Sequence, residues 1–227
     1  MFKYRFFQVI LAIAVVMLIV SSAVFISFQG VNISEAEYTS EMTGRTFETD
    51  GADGSETALT EFEAWLEYSI IADGLKGTGN NVDFDKGNVK LYDYNLTQLR
   101  QLKKVKDEAK RMMFLSVILL IIGFLAVKKR RMYECVVWGG VAASVIGMVS
   151  LILLAVSGSG IFYGVREMVF KGRYDVFFSG DDRLISLIPD NLGLRMFLIY
   201  TGVILAGLVI TIIVRLISWR KTQPHKF

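Results

Sequence analysis

Residues 6–28, FFQVILAIAVVMLIVSSAVFISF, contain no charged side chain. As a helix these 23 residues rise about 34 Å, enough to cross a hydrocarbon core of roughly 30 Å. A helix apolar on every side has no polar face to turn toward water, so the stretch predicts a transmembrane helix. A cleaved signal peptide is the competing reading, with Lys3 and Arg5 as its basic end and Ser21 to Ala23 as a small-residue cleavage site. The apolar stretch exceeds the usual 7–15 residues of a signal peptide, which favours a retained span.

Three further apolar stretches follow, at residues 112–127, 132–156 and 196–214. With 53% hydrophobic residues over 227 positions and a mean hydropathy of +0.45, the chain is too apolar for an ordinary soluble domain. It reads as an all-α polytopic membrane protein with four transmembrane helices and a mostly helical extracytoplasmic cap. Lys128, Lys129, Arg130 and Arg131 form a basic turn between the second and third spans, and Arg215, Arg220 and Lys221 follow the fourth. Positive residues mark the cytoplasmic side, so residues 128–131 and 215–227 are expected inside, as are Lys3 and Arg5, leaving both termini cytoplasmic. Residues 29–111 and 157–195 then lie outside. Arg100, Lys103, Lys104, Lys106, Lys110 and Arg111 stand on that outer side, but a loop longer than about 60 residues is largely exempt from the rule.

Several function classes drop out. The single cysteine, Cys135, permits no internal disulfide and no Cys-rich metal site. His225 is the only histidine, which removes histidine-based metal sites and Ser-His-Asp or Cys-His catalysis from any buried region. No metal and no cofactor is expected. A net charge of +3, without a phosphate-binding glycine loop or a basic patch interleaved with exposed aromatics, argues against nucleic acid.

From Gln29 to Arg100 there are 14 acidic and five basic residues. Within this stretch, ETALTEFEAWLEYSIIADGL spaces Leu59, Phe62, Trp65 or Leu66, and Ser69 or Ile70 as one helical face ending at Gly74. NVDFDKGNVKLYDYN alternates as a hairpin or extended strand does. LTQLRQLKKVKDEAKRMM places Leu96, Leu99, Leu102 or Lys103, Val105 and Ala109 along one stripe, with basic residues elsewhere facing lipid phosphate or solvent, and is expected to run on into the second span. Asn32-Ile-Ser and Asn95-Leu-Thr match the glycosylation pattern. Gly139, Ala143 and Gly147 form a small-residue ridge, for which Gly202 and Ala206 offer a partner. In the outer segment before the fourth span, Phe162, Tyr163, Phe170, Tyr174, Phe177 and Phe178 suit headgroup depth, and Pro189 stops a helix.

Two stretches in order, QLRQLKKVK at residues 98–106 and VREMVFKGRY followed by DDRLISLIP before the last span, resemble the lipoprotein intramolecular transacylase family of bacterial integral membrane proteins. The resemblance covers roughly residues 61–217. It implies a four-span, multi-pass protein of the bacterial cell membrane that moves an acyl chain from the diacylglyceryl group of a lipoprotein to the α-amino group of its N-terminal cysteine. Phe170, Asp182 and Pro189 fit the family pattern. The family has a histidine where this chain has Gln101, an aspartate where it has Lys104, a histidine where it has Arg166, and a tryptophan near Tyr174.

The departures bear on the chemistry. Acyl transfer to an amine needs that amine unprotonated, so a base with a pKa near working pH is the natural catalyst. Gln101 takes no proton, and the Arg166 guanidinium stays charged beyond about pH 12. The resemblance marks Arg166, Gln101 and Asp182 as the candidate catalytic residues, with Lys104, Tyr174 and Glu167 expected to contact lipid or substrate. The expected partners are membrane phospholipid and lipoprotein N-terminal segments. The expectation is a relative that binds at the outer leaflet and is inactive or altered in mechanism. An active acyltransferase would instead use Arg166 as a fixed charge on an oxyanion with Glu167, Asp175 or Asp182 as base. A non-enzymatic four-span scaffold usually carries cysteines in its first outer loop, absent here between Gln29 and Arg111. A channel would need an ionisable residue within the four apolar cores.

Overall fold

A computed structural model describes residues 2–44, 47–50, 56–77, 84, 87, 89, 91, 93–126, 129–155, 183–189 and 191–222. In chain order these form α1 (Phe2–Ser27), a 3-10 turn (Phe28–Val31), α2 (Glu35–Met42), β1 (Phe47–Asp50), β2 (Glu56–Leu59), α3 (Glu61–Lys76), α4 (Asp93–Ala126), α5 (Lys129–Ala155), α6 (Arg183–Leu187) and α7 (Leu192–Thr222). Among the described residues the architecture is all-α apart from one antiparallel pair, in which Phe47 lies opposite Leu59 and Asp50 opposite Glu56.

Among the described residues, three helical stretches are long and apolar enough to cross a membrane, Phe6–Val31, Tyr133–Ser150 and Leu192–Ser218. Three of the four residues expected in a basic turn, Lys129, Arg130 and Arg131, instead open α5, since both residue types favour helix.

The chain divides into two compact units. One comprises the described residues of Met1–Ile26, Glu108–Ala155 and Leu198–Phe227. Small residues let its helices approach. A Cβ on Gly139 would come within 2.6 Å of the Ala12 carbonyl oxygen, and one on Gly147 within 2.5 Å of Ile204 Cγ2. Gly123 faces Leu11, Gly140 faces Thr211, and Gly207 faces Ile19. Leu11, Cys135 and Leu120 pack together. The ridge partner anticipated on α7 is corrected: Gly202 and Ala206 are exposed, and a side chain on Gly202 would meet nothing. Ile204 and Thr211 face α5 instead, because larger residues fill the grooves left by glycine.

The other unit comprises the described residues of Ser27–Asp107 and Val156–Phe197, and α3 is its hub. Thr60 starts this helix with a capping box: its hydroxyl accepts from the Glu63 amide, and Glu63 Oε2 accepts from the Thr60 amide at 2.8 Å. That backbone donor, and then the Thr60 hydroxyl, hold the exposed Glu63 carboxyl below its usual pKa. The helix runs past Gly74 to Lys76, and the Gly77 amide closes it on the Asp73 carbonyl at 2.7 Å.

The buried face of α3 differs from the one the apolar spacing indicated. Phe62 and Leu66 are exposed, whereas Ala64, Glu67, Tyr68, Ile71, Ala72 and Leu75 point inward. Polar groups prevail at these positions because they find partners. Tyr68 donates to the Val31 carbonyl at 2.6 Å, Tyr38 of α2 donates to the Leu187 carbonyl at 2.9 Å, and the two rings stack with centroids 5.2 Å apart. Burial raises the Tyr68 phenol well above its usual pKa.

The same correction applies to α4. Val105, expected inward, is exposed, and Lys103 and Lys106 are buried. Lys106 Nζ donates to the carbonyls of Leu75, Lys76 and Gly77 at 2.6, 2.8 and 2.9 Å, with Asp107 Oδ1 at 3.8 Å. An ammonium with three donors thus meets the carbonyls that a helix C-terminus leaves open, at the negative end of its dipole. Most of residues 81–92, where a hairpin or extended strand is expected, lie outside the described residues; Phe84, Val89 and Leu91 are buried, and Asp93 already begins α4. Asn95 is fully buried within α4, so its sequon is inaccessible to glycosylation, while Asn32 accepts from Lys76 at 3.0 Å.

Lys106→Met should lower unfolding stability by about 3 kcal/mol, because it strands buried carbonyls; denaturant titration of the detergent-solubilised protein measures this. Gly147→Leu should cost about 1–3 kcal/mol by overpacking, whereas Gly202→Leu should leave stability unchanged. Thermal unfolding of the two variants side by side provides the check.

Candidate functional site

The two stretches that carry the family resemblance both bear on α3. The first lies in α4, where Lys106 holds the α3 C-terminus. The described part of the second forms α6, whose Leu184 and Leu187 are buried and which packs against α3 and β1. Pro189 is fully buried directly after it, and the Leu192 amide donates to the Pro189 carbonyl at 3.1 Å, turning the chain into α7.

Of the six candidate site residues, Gln101 and Lys104 are described. Both are exposed on α4, and three residues of separation places them as neighbours on a helix surface. Inward-facing Lys103 and Lys106 alternate with them. An exposed amide beside an exposed ammonium donates hydrogen bonds and offers a cation to phosphate or carboxylate, and it supplies no proton acceptor of suitable pKa. Arg166, Glu167, Tyr174 and Asp182 lie outside the described residues, as do Phe170 and Asp175.

Several polar residues of the second unit escape the sequence pattern. Gln98, one turn before Gln101, is buried, and its Oε1 has no hydrogen-bond partner among the described residues. Glu67 is buried on α3, close enough to Gly87 that a side chain there would strike its carboxylate. Arg195 in the first turn of α7 pairs with Glu37 of α2. None of these stands out by spacing, because each sits where the apolar pattern predicts a hydrophobe or a solvated charge.

No family model matches the chain, and no curated protein matches it. Among solved structures, the membrane integral lipoprotein intramolecular transacylase Lit from Bacillus cereus has the same fold. It superposes with a TM-score of 0.71 at 12% identity, over 97% of this chain and 97% of that one. A second structure of that protein, with a histidine-to-arginine substitution, gives a TM-score of 0.65 at 11% identity over 97% of this chain and 93% of the other. The likeness is one of fold.

Because Gln101 and Lys104 are exposed, Gln101→Ala and Lys104→Ala should each change stability by less than about 0.5 kcal/mol. Unfolding curves that coincide with the parent's would confirm this, so that any change in ligand retention in these variants reports contact rather than folding.

Proposed function

We propose that this chain is a four-span membrane protein that binds diacylated lipoprotein N-termini or the phospholipid around them at the outer leaflet, without the imidazole-dependent acyl transfer of the transacylases whose fold it resembles. The carrying observation is a likeness over nearly the whole of both chains, joined to a sequence with Gln101 and Arg166 at the positions where the family has histidines. That a histidine-to-arginine variant of the Bacillus cereus enzyme retains the same fold fits a scaffold that outlives the loss of an imidazole.

A fourth span is supported by the second half of α4. Phe114, Leu115, Val117, Ile118, Ile121, Ile122, Phe124 and Leu125 are all exposed, a surface that water disfavours and lipid covers. Residues 112–126 rise about 22 Å, short of a full hydrocarbon core. Lys110 and Arg111 at one end and the basic residues at the other extend the reach by laying their apolar stems along the boundary. The basic residues at positions 128–131 and those after the last span support cytoplasmic termini.

In this reading Arg166 and Lys104 attract the phosphate or ester oxygens of the ligand, Gln101 donates a hydrogen bond, and Tyr174 stands at headgroup depth. Without a base of suitable pKa, the lipoprotein α-amino group stays largely protonated, with a pKa near 8.

The test expresses the chain in bacteria lacking such a transacylase and examines lipoprotein N-termini by mass spectrometry. No added acyl group is expected from the parent chain, while purified protein retains a diacylated lipopeptide and Arg166→Ala weakens that retention about tenfold. N-acylation by the parent chain would overturn the binding reading in favour of an active enzyme. Its loss in Arg166→Ala but not in Glu167→Gln would then assign the charge of Arg166 to the oxyanion.

A further inference from the structure

In the first unit, α1 and α5 enclose an open groove of about 350 Å³ lined by Gln8, Val9, Ala12, Glu134, Cys135 and Trp138. The two helices run in the same direction along it, since Leu11 packs on Cys135 and, farther along both, Gly139 lies against Ala12 and Val15. The lining is therefore graded from one end to the other. Gln8 and Glu134 stand within about 3 Å of the ends at which the two apolar stretches begin, Phe6 and Tyr133. Ala12 and Trp138 lie one turn, about 6 Å, farther in. Val9 is 57% and Trp138 71% exposed, so the apolar half opens toward lipid, and an indole at this depth suits the boundary between headgroup and hydrocarbon.

The polar half favours one kind of headgroup. Among the described residues its lining holds a carboxylate, a carboxamide and no cation. Gln8 and Glu134 make no side-chain hydrogen bond or ion pair among the described residues, so their oxygens stand as acceptors where water gives way to lipid. A primary ammonium answers both needs, with a positive charge for Glu134 and three N–H donors for the oxygens. Choline carries the charge without an N–H. A glycerol headgroup has hydroxyl donors but sets an uncompensated phosphate beside the Glu134 carboxylate. An ethanolamine lipid brings the ammonium together with a phosphate that can accept from the Gln8 carboxamide N–H, and its chains match the apolar half.

We infer that the groove between α1 and α5 holds phosphatidylethanolamine from the leaflet that meets the N-terminal ends of these helices. Its ammonium donates to Glu134 and to the Gln8 carboxamide oxygen, and the upper part of an acyl chain lies along Ala12 and Trp138. This site requires only that the chain be membrane-embedded. It uses neither Gln101, Lys104 nor Arg166, so it stands or falls apart from any binding of lipoproteins.

The experiment reconstitutes the full chain in nanodiscs holding phosphatidylethanolamine, phosphatidylcholine and phosphatidylglycerol in equal parts, releases it into mild detergent, and counts retained lipid by native mass spectrometry. Phosphatidylethanolamine should be retained about tenfold over each of the others, the scale of a hydrogen bond to a charged group. In a series of N-methylated ethanolamine lipids, retention should fall stepwise as N–H donors are lost at constant charge. Glu134→Gln, nearly isosteric, should reduce phosphatidylethanolamine retention about tenfold and erase its lead over phosphatidylcholine. Trp138→Ala removes an apolar wall and should weaken retention of all three lipids alike, about fivefold. Both side chains are exposed, so the circular dichroism of these variants should match the parent's. Equal retention of the three lipids, phosphatidylglycerol ahead of phosphatidylethanolamine, or an unchanged preference in Glu134→Gln would each overturn the site.

Discussion

The Lys106 ammonium is the interaction on which the architecture of the second unit rests. One cation collects three carbonyls from the last turn of α3, replacing the water those groups would otherwise require. Desolvating a lysine is costly, and it is tolerated here because all three ammonium protons are used and Asp107 stands nearby. An arginine would not substitute, since its planar fork does not converge on three oxygens. With its C-terminus satisfied by Lys106 and its N-terminus by Thr60 and Glu63, α3 is a fixed post. α2 and α6 lean on it, and the stacked Tyr38 and Tyr68 rings fill the space between.

Hydropathy made the membrane helices legible, because lipid selects for apolar residues on every side and needs no knowledge of partners. The inner faces of α3 and α4 were not legible for the opposite reason. Val105 looks like a core residue and is exposed; Lys106 looks like a solvated charge and is buried. What decides between them is a set of carbonyls about 30 residues away in the chain, which no local spacing reveals. The small-residue ridge was half legible. Gly139 and Gly147 are indeed seats for neighbouring helices, but their occupants are Val15 and Ile204, and a glycine in sequence announces room without naming what fills it. For the candidate site, a family resemblance marked Gln101 and Lys104, and both occupy an exposed face of α4; the burial of Gln98 and Glu67 left no trace in the spacing.

The fold and the chemistry of the resembling enzymes separate here. Helix packing through glycine, a capped α3 and the Lys106 contacts do not depend on an imidazole, and the fold is shared at 12% identity. The proton transfer that drives acylation does depend on one.

The pairing of Arg195 with Glu37 carries a consequence for how α7 settles in a bilayer. A guanidinium at the mouth of a long apolar helix ordinarily reaches for lipid phosphate and pins that end at a fixed height. Here its charge is already matched within the protein, leaving that end electrically quiet. That end of α7 is tied instead to α2, so any shift of α2 is passed to the head of the last helix.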